Sequence, residues 1–116
     1  MRTETDCIFC RIVRGEIPSE RIYENDLVIG FRDIQPRAPT HVLIIPRVHI
    51  ASLSELRDAD QSLAGALLLA AQAVAEQEDI VLNGYRVTTN TGAWGGQTVD
   101  HLHFHVLGGR RLTAMG

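Results

Sequence analysis

The sequence His-Leu-His-Phe-His, residues 101–105, places three of the chain's five histidines at every second position. Successive side chains of a β-strand point to opposite faces, so the three rings would share one face of a sheet. Leu102 and Phe104 would then point into a core. Packing alone gives no reason to place three polar, titratable rings side by side. A glycine-rich loop over residues 91–98 leads into this segment, and the pattern predicts that the chemistry of the protein takes place here.

Hydrophobic periodicity and turn residues divide the rest of the chain into further helices and strands. The predicted helices cover residues 7–13 and 58–77, and the predicted strands cover residues 21–23, 27–32, 41–46 and 85–90. Strands at both ends of the chain with a long helix between them indicate an α+β fold, in which an antiparallel sheet carries helices on one face. No linker or repeat interrupts residues 1–116, so we expect a single domain. A small sheet has edges and an apolar face to cover, which makes a dimer plausible.

The composition excludes several classes of protein. Hydrophobic residues make up 45% and charged residues 22% of the chain, as in ordinary soluble globular proteins. The net charge of −3 gives no reason to expect nucleic acid or an anionic membrane as a partner. No segment approaches the roughly 20 apolar residues of a membrane span. Residues 1–6 lack the apolar stretch of a signal peptide, so we expect a cytoplasmic location.

Cys7 and Cys10 form a C-x-x-C pair. A structural disulfide is not expected in a reducing cytoplasm. A thioredoxin-like redox pair would lie at the start of a helix that follows a strand, and no strand precedes this motif. The pair is therefore better interpreted as metal ligands.

The sequence of residues 101–107, His-Leu-His-Phe-His-Val-Leu, resembles the His-x-His-x-His-x-x signature, with x apolar, of the histidine-triad (HIT) superfamily. Further segments match the family in the same order, at residues 8–9, 31–34, 38–41, 45–50, 90 and 95–99. Gly108, Gly109 and Arg110 are similar to the ending of the Hint-like branch. The resemblance implies a five-stranded antiparallel sheet with one long and one short helix per subunit, continued across a homodimer. It also implies an enzyme that binds purine nucleotides and hydrolyses nucleoside phosphoramidates, or other α-phosphate-linked leaving groups, through a nucleotidyl-histidine intermediate.

The resemblance assigns roles to the polar residues of this site. His103 would be the nucleophile that attacks the α-phosphorus, and His105 would contact the phosphoryl or bridging oxygen. His41 would orient the catalytic rings, although it is equally acceptable as a residue at the end of a strand. Thr98 would supply its hydroxyl to the leaving group. The remaining residues expected on the phosphate side are Gly96, Gln97 and Asn90, of which Asn90 could instead be a simple turn residue.

The nucleoside would be held by a carboxylate and an apolar slot. Asp33 would accept hydrogen bonds from both ribose hydroxyls, which suits its two oxygens. The residues that match the purine slot of the family are all apolar, and each could equally belong to an ordinary core: Ile8, Phe9, Ile12, Phe31, Ile34 and Leu43.

A metal-binding subset of the superfamily resembles this chain at four positions. Cys7, Cys10, His49 and His101 would form a tetrahedral Cys₂His₂ set, and Zn²⁺ bound only by protein ligands would be structural. The alternative is a pair of free thiols beside a solvent-exposed His49.

Two rival functions remain open at the level of the sequence. Histidines at alternate positions of a strand can ligate a metal, so His101, His103 and His105 could form the centre of a metallohydrolase. The chain could also be a nucleotide-sensing or interaction module with little turnover.

Overall fold

An apolar run of the chain forms the centre of the sheet. In the computed structural model, which describes residues 6–115, the strand Thr40–Pro46 is buried along its whole length. The helices and strands, in chain order, are α1 (Ile8–Val13), β1 (Arg21–Glu24), β2 (Val28–Arg32), β3 (Thr40–Pro46), α2 (Gln61–Gln77), β4 (Arg86–Thr88) and β5 (Phe104–Gly108). The strands pair antiparallel in the order β1-β2-β3-β5-β4. The predicted five-stranded α+β fold with one long and one short helix is confirmed, and its extension across a homodimer stays a prediction.

The two faces of the sheet are covered by different helices. Val42 and Ile44 of β3 belong to an apolar cluster with six buried residues of α2. Leu43 and Ile45, which alternate with them, belong to a second cluster with Phe9 of α1. The expectation of helices on one face is therefore wrong. Both faces of β3 are apolar, so both need cover.

The histidine strand is shorter than predicted. β5 begins at Phe104, so that only His105 of the three alternate histidines lies on the strand. The preceding segment is tied down by other bonds: Leu102 N–H donates to the carbonyl of Ile50 at 2.6 Å, and the Thr89 hydroxyl donates to the carbonyl of His103 at 2.8 Å. The predicted alternation nevertheless holds, because Leu102 is buried in the cluster beneath α2.

Two other predicted boundaries differ from the structure by more than one residue. The long helix begins at Gln61 rather than at residue 58, because Asp58–Asp60 form a 3₁₀ turn in which the Asp60 carboxylate accepts from Arg57 N–H. β4 ends at Thr88 rather than at residue 90, since the chain then turns into the glycine-rich loop.

No helix within residues 6–115 combines the length and the apolar character that crossing a bilayer requires. The prediction about a signal peptide concerns residues 1–6, of which residues 1–5 lie outside the described part of the chain.

Candidate functional site

The histidine side chains meet on the face of the sheet opposite α2. His41 and Leu43 of β3 point to this face, and Leu43 lies beside His105 of β5 in the register of the sheet. The ring centroids of His41 and His105 are 5.1 Å apart, and those of His103 and His105 are also 5.1 Å apart. The structure thus brings together three of the four residues predicted to be catalytic.

The ring of His103 has a defined orientation. Its Nδ1 lies 2.7 Å from the main-chain oxygen of His101. A carbonyl oxygen only accepts, so Nδ1 carries the proton and donates it to this bond. In the neutral ring Nε2 then keeps its lone pair. This tautomer can act as a nucleophile through Nε2. The residue is 4% exposed.

His41 connects the backbone to His105. The N–H of Arg37 donates to Nδ1 of His41 at 3.1 Å, so that in the neutral ring the proton lies on Nε2. This Nε2–H is 2.9 Å from Nδ1 of His105. Nδ1 of His105 therefore accepts, and its Nε2 carries a proton that can be donated to a substrate oxygen.

Burial keeps both rings of this pair neutral near pH 7. Burial lowers the pKa of His105 to about 4, and the neighbouring His103 and His41 rings act in the same direction. The pKa of His41 is also lowered by burial, against the opposing effect of the Asp33 carboxylate. The hydrogen bonds from Arg37 N–H to His41 and from His41 to His105 require both histidine rings to be neutral.

Asp33 lies at the edge of the histidine cluster. One of its oxygens accepts from Gln35 N–H at 2.8 Å, and Oδ2 lies 3.5 Å from Nε2 of His41. The ligand atoms of Asp33, His41 and His105 are close enough to hold a metal ion. The contact of Asp33 with the ribose hydroxyls stays a prediction.

The side chains of the glycine-rich loop mainly hold the loop itself. Gln97 donates to the carbonyls of Ala51 at 2.7 Å and Val99 at 2.9 Å, and its oxygen accepts from Gly92 N–H at 2.9 Å. The amide of Asn90 donates to the carbonyl of Gly95 at 2.7 Å. These amides therefore position the loop. The main-chain N–H groups of Gly95, Gly96 and Gln97 also donate within it, to the carbonyls of Gly92 and Ala93.

The other loop residues have simpler environments. Gly96 has φ of +85°, a conformation that suits glycine. Thr98 is exposed, so its hydroxyl is accessible to a leaving group.

The six residues predicted for the purine slot differ in exposure. Phe9, Ile12, Phe31 and Leu43 are buried in one apolar cluster, whereas Ile8 is 47% and Ile34 is 92% exposed. The buried members can form the floor of a slot and the exposed ones its rim.

The four predicted metal ligands converge. Nδ1 of His101 lies 3.3 Å from Sγ of Cys7 and 3.5 Å from Sγ of Cys10, and Nδ1 of His49 lies 3.3 Å from Sγ of Cys10. Tetrahedral Zn²⁺ with ordinary bond lengths would place sulfur and nitrogen ligands about 3.5 Å apart. Neither thiol is in a disulfide. These residues thus form a group that could hold a metal ion.

A hydrogen bond to the backbone orients His101 for this role. Its Nε2 lies 3.0 Å from the carbonyl of Pro46, so Nε2 carries the proton and Nδ1 turns a lone pair towards the two sulfurs. Metal-bound histidines in proteins almost always have such a partner on the other nitrogen.

The histidine triplet does not form one ligand set. Within residues 6–115, His101 groups with the cysteines and His105 groups with Asp33 and His41, while His103 belongs to neither group. This distribution disfavours a metal ion held by the three rings together.

Three hydrogen-bonding groups that hold the site in place were not predicted from the sequence. They are the Thr89 hydroxyl on the carbonyl of His103, the carbonyl of Pro46 and the N–H of Arg37. Two of them are main-chain groups, for which the residue type carries no signal.

The fold and the histidine site define a class of protein with known members. The HIT domain family matches residues 14–112, and the chain belongs to this family. It is 46% identical over 110 residues to the purine nucleoside phosphoramidase of Escherichia coli, across 95% of this chain and 92% of that protein. An uncharacterised HIT-like protein of Synechococcus elongatus is 52% identical over 107 residues, across 92% of this chain and 93% of that protein. Among solved structures, the HIT family hydrolase from Clostridium thermocellum matches with a TM-score of 0.93 and 44% identity, across 97% of this chain and 98% of that chain.

Proposed function

We propose that this enzyme of the HIT family hydrolyses purine nucleoside phosphoramidates, and related nucleotides with a leaving group on the α-phosphate, to nucleoside monophosphates. The reaction uses a covalent nucleotidyl intermediate on His103. The 46% identity to a purine nucleoside phosphoramidase along almost the whole of both chains supports this substrate class.

The observation that carries the proposal is the orientation of His103. Because Nδ1 donates to the carbonyl of His101, Nε2 presents a lone pair. Nε2 attacks the α-phosphorus, a P–N bond to the ring forms, and the bond to the leaving amine breaks while its nitrogen takes a proton from solvent through the Thr98 hydroxyl. Water then attacks the same phosphorus, gives one proton back to solvent, releases the nucleoside monophosphate and restores the neutral ring.

Neighbouring groups assist both steps. The Nε2–H of His105, set by the bond from His41, donates to a phosphoryl oxygen and offsets its charge. The Thr98 hydroxyl donates to the departing nitrogen, and the glycine-rich loop that includes Gly96 and Gln97 lies beside the phosphate. Asn90 fixes that loop.

The nucleoside binds beside the histidine cluster. Asp33 accepts from the ribose hydroxyls, and the purine lies between exposed and buried apolar side chains, namely Ile8, Ile12, Phe31, Ile34 and Leu43. The active form is a homodimer in the cytoplasm.

The Cys₂His₂ group would hold a structural Zn²⁺. Its ligands are Cys7, Cys10, His49 and His101, and their distances and the bond from His101 to Pro46 suit tetrahedral zinc. Such an ion would tie α1 to the segment that precedes β5.

The proposal is tested with adenosine phosphoramidate as substrate. We measure AMP release by wild type and His103→Ala and, in parallel, search by mass spectrometry for an AMP adduct on the peptide that contains His103. We expect turnover in wild type, a loss of at least about a thousandfold in the variant, and an adduct on this peptide. Circular dichroism and AMP binding report whether the variant is folded.

Three outcomes contradict the proposal. Turnover that His103→Ala retains excludes this nucleophile. Turnover without any adduct, abolished by chelation of a folded protein, indicates a metallohydrolase. AMP binding with no turnover indicates a sensing module.

A further inference from the structure

The candidate metal group and the candidate nucleophile are directly connected. The imidazole of His101 faces the two cysteines, while the main-chain oxygen of the same residue accepts a hydrogen bond from Nδ1–H of His103 at 2.7 Å. Phe9 lies between Cys7 and Cys10 in the sequence. Its ring meets both histidines edge to face, with centroids 5.8 Å from His101 and 5.1 Å from His103.

We propose that the Cys₂His₂ metal centre positions the nucleophile His103, acting through the carbonyl of His101 and the ring of Phe9. The inference rests on the function proposed above and assigns Phe9 a role other than contact with the purine. His101 and Phe9 are positioning residues, because neither touches the reacting phosphorus.

The first connection is through the backbone of His101. Its ring is held on one side by the metal ligands and on the other by the carbonyl of Pro46. Only two rotatable bonds separate that ring from its own main chain. A fixed His101 ring therefore also restricts the His101 carbonyl, which accepts the hydrogen bond from His103. A movement of this carbonyl would release the ring of His103 and allow the proton to move to Nε2, which removes the nucleophilic lone pair.

The second connection is through α1. This helix has only six residues, and a helix of that length is not stable alone. Its attachment to the segment before β5 spans 94 residues of sequence between Cys7 and His101. A bound ion would fix this attachment and hold Phe9, which is 6% exposed, against the ring of His103.

The contacts of the Phe9 ring favour this role over contact with the base. Its ring already packs against the rings of His101, His103 and Phe31. The centroids of Phe9 and Phe31 are 5.7 Å apart. A smaller side chain should therefore disturb the nucleophile more than it disturbs nucleotide binding.

The experiment compares zinc-loaded wild type, the same protein after removal of zinc by a chelator, and zinc-loaded Phe9→Leu. Zinc content is measured for each sample. Single-turnover kinetics give the rate of AMP-adduct formation, calorimetry gives the Kd of AMP, and long-range ¹H–¹⁵N spectra give the tautomer of His103, assigned with His103→Ala. Ile29→Val serves as the packing control, because Ile29 lies in the same apolar cluster but outside the site.

We expect the rate of adduct formation to fall at least tenfold on zinc removal and in Phe9→Leu. The Kd of AMP should change less than twofold, and His103 should lose its single Nδ1–H tautomer. Ile29→Val should keep the wild-type rate and tautomer. If zinc-free protein unfolds, the zinc-loaded Phe9→Leu protein decides.

Other results overturn the inference. These are a protein that binds no metal, an unchanged tautomer and rate in Phe9→Leu, or a rise in the Kd of AMP that accounts for the loss of activity. The tautomer is read without turnover. Absence of an adduct in zinc-loaded wild type would therefore refute the proposed function, while the tautomer would still test the positioning role separately.

Discussion

His41 offers a quantitative test of the hydrogen-bonded chain that orients the site. It accepts from Arg37 N–H at 3.1 Å and lies 2.9 Å from Nδ1 of His105. Replacement by alanine removes the donor that holds His105 in the Nε2–H tautomer. Replacement by glutamine keeps an N–H near the position of the original Nε2.

The expected magnitude follows from the strength of one neutral hydrogen bond. Such a bond contributes about 0.5–1.5 kcal/mol net, and each 1.4 kcal/mol corresponds to about a tenfold change in rate. We therefore expect His41→Ala to lower kcat/KM for adenosine phosphoramidate by roughly three- to tenfold. His41→Gln should recover part of this loss.

Steady-state kinetics on the three proteins, with circular dichroism as the control for folding, measure this effect. A loss as large as that of His103→Ala would show that His41 takes part in the chemistry itself. An unchanged rate in a folded His41→Ala protein would show that the orientation of His105 does not depend on this bond. Either result would refute the reasoning.

Two further predictions concern pH and the loop. Because the pKa of His105 is about 4 in the folded protein and 6.5 ordinarily, the unfolded chain takes up the proton first as pH falls. The free energy of unfolding that this neutral ring contributes is thus complete above about pH 6.5 and is lost towards pH 4. In urea unfolding, the free energy of unfolding should therefore fall less from pH 7 to pH 5 in His105→Asn than in wild type. For the loop, Gln97→Ala removes three hydrogen bonds. Kinetics should show kcat/KM lowered about tenfold or more, since phosphate contacts depend on position, and an unchanged kcat/KM would exclude that role.

The elements of the fold could be predicted because their signals are local. The apolar run at residues 41–46 has the length of a strand buried on both faces, and the alternation at residues 101–106 has the two-residue period of a strand. The start of β5 could not be predicted in this way. It depends on which backbone groups of β3 and β4 come opposite, and the segment before Phe104 bonds instead to Ile50 and to the Thr89 hydroxyl.

The resemblance to the histidine-triad superfamily predicted that His41, His103 and His105 lie together, but not which hydrogen bonds the polar side chains near them form. Gln97 and Asn90 were expected on the phosphate side, and the structure uses their amides within the loop. An amide can both donate and accept, so its partners depend on what the folded chain places nearby.

The histidine triplet shows the same division most clearly. The sequence by itself determined that three rings share one side of the segment and that a C-x-x-C pair could hold a metal. Only the tertiary structure decided that His101 turns to Cys7, 94 residues away, and that His105 turns to His41, 64 residues away, while His103 stays outside both groups. Periodicity within a strand is a property of neighbouring residues, whereas the partner of a polar ring depends on distant segments that folding brings within hydrogen-bond distance.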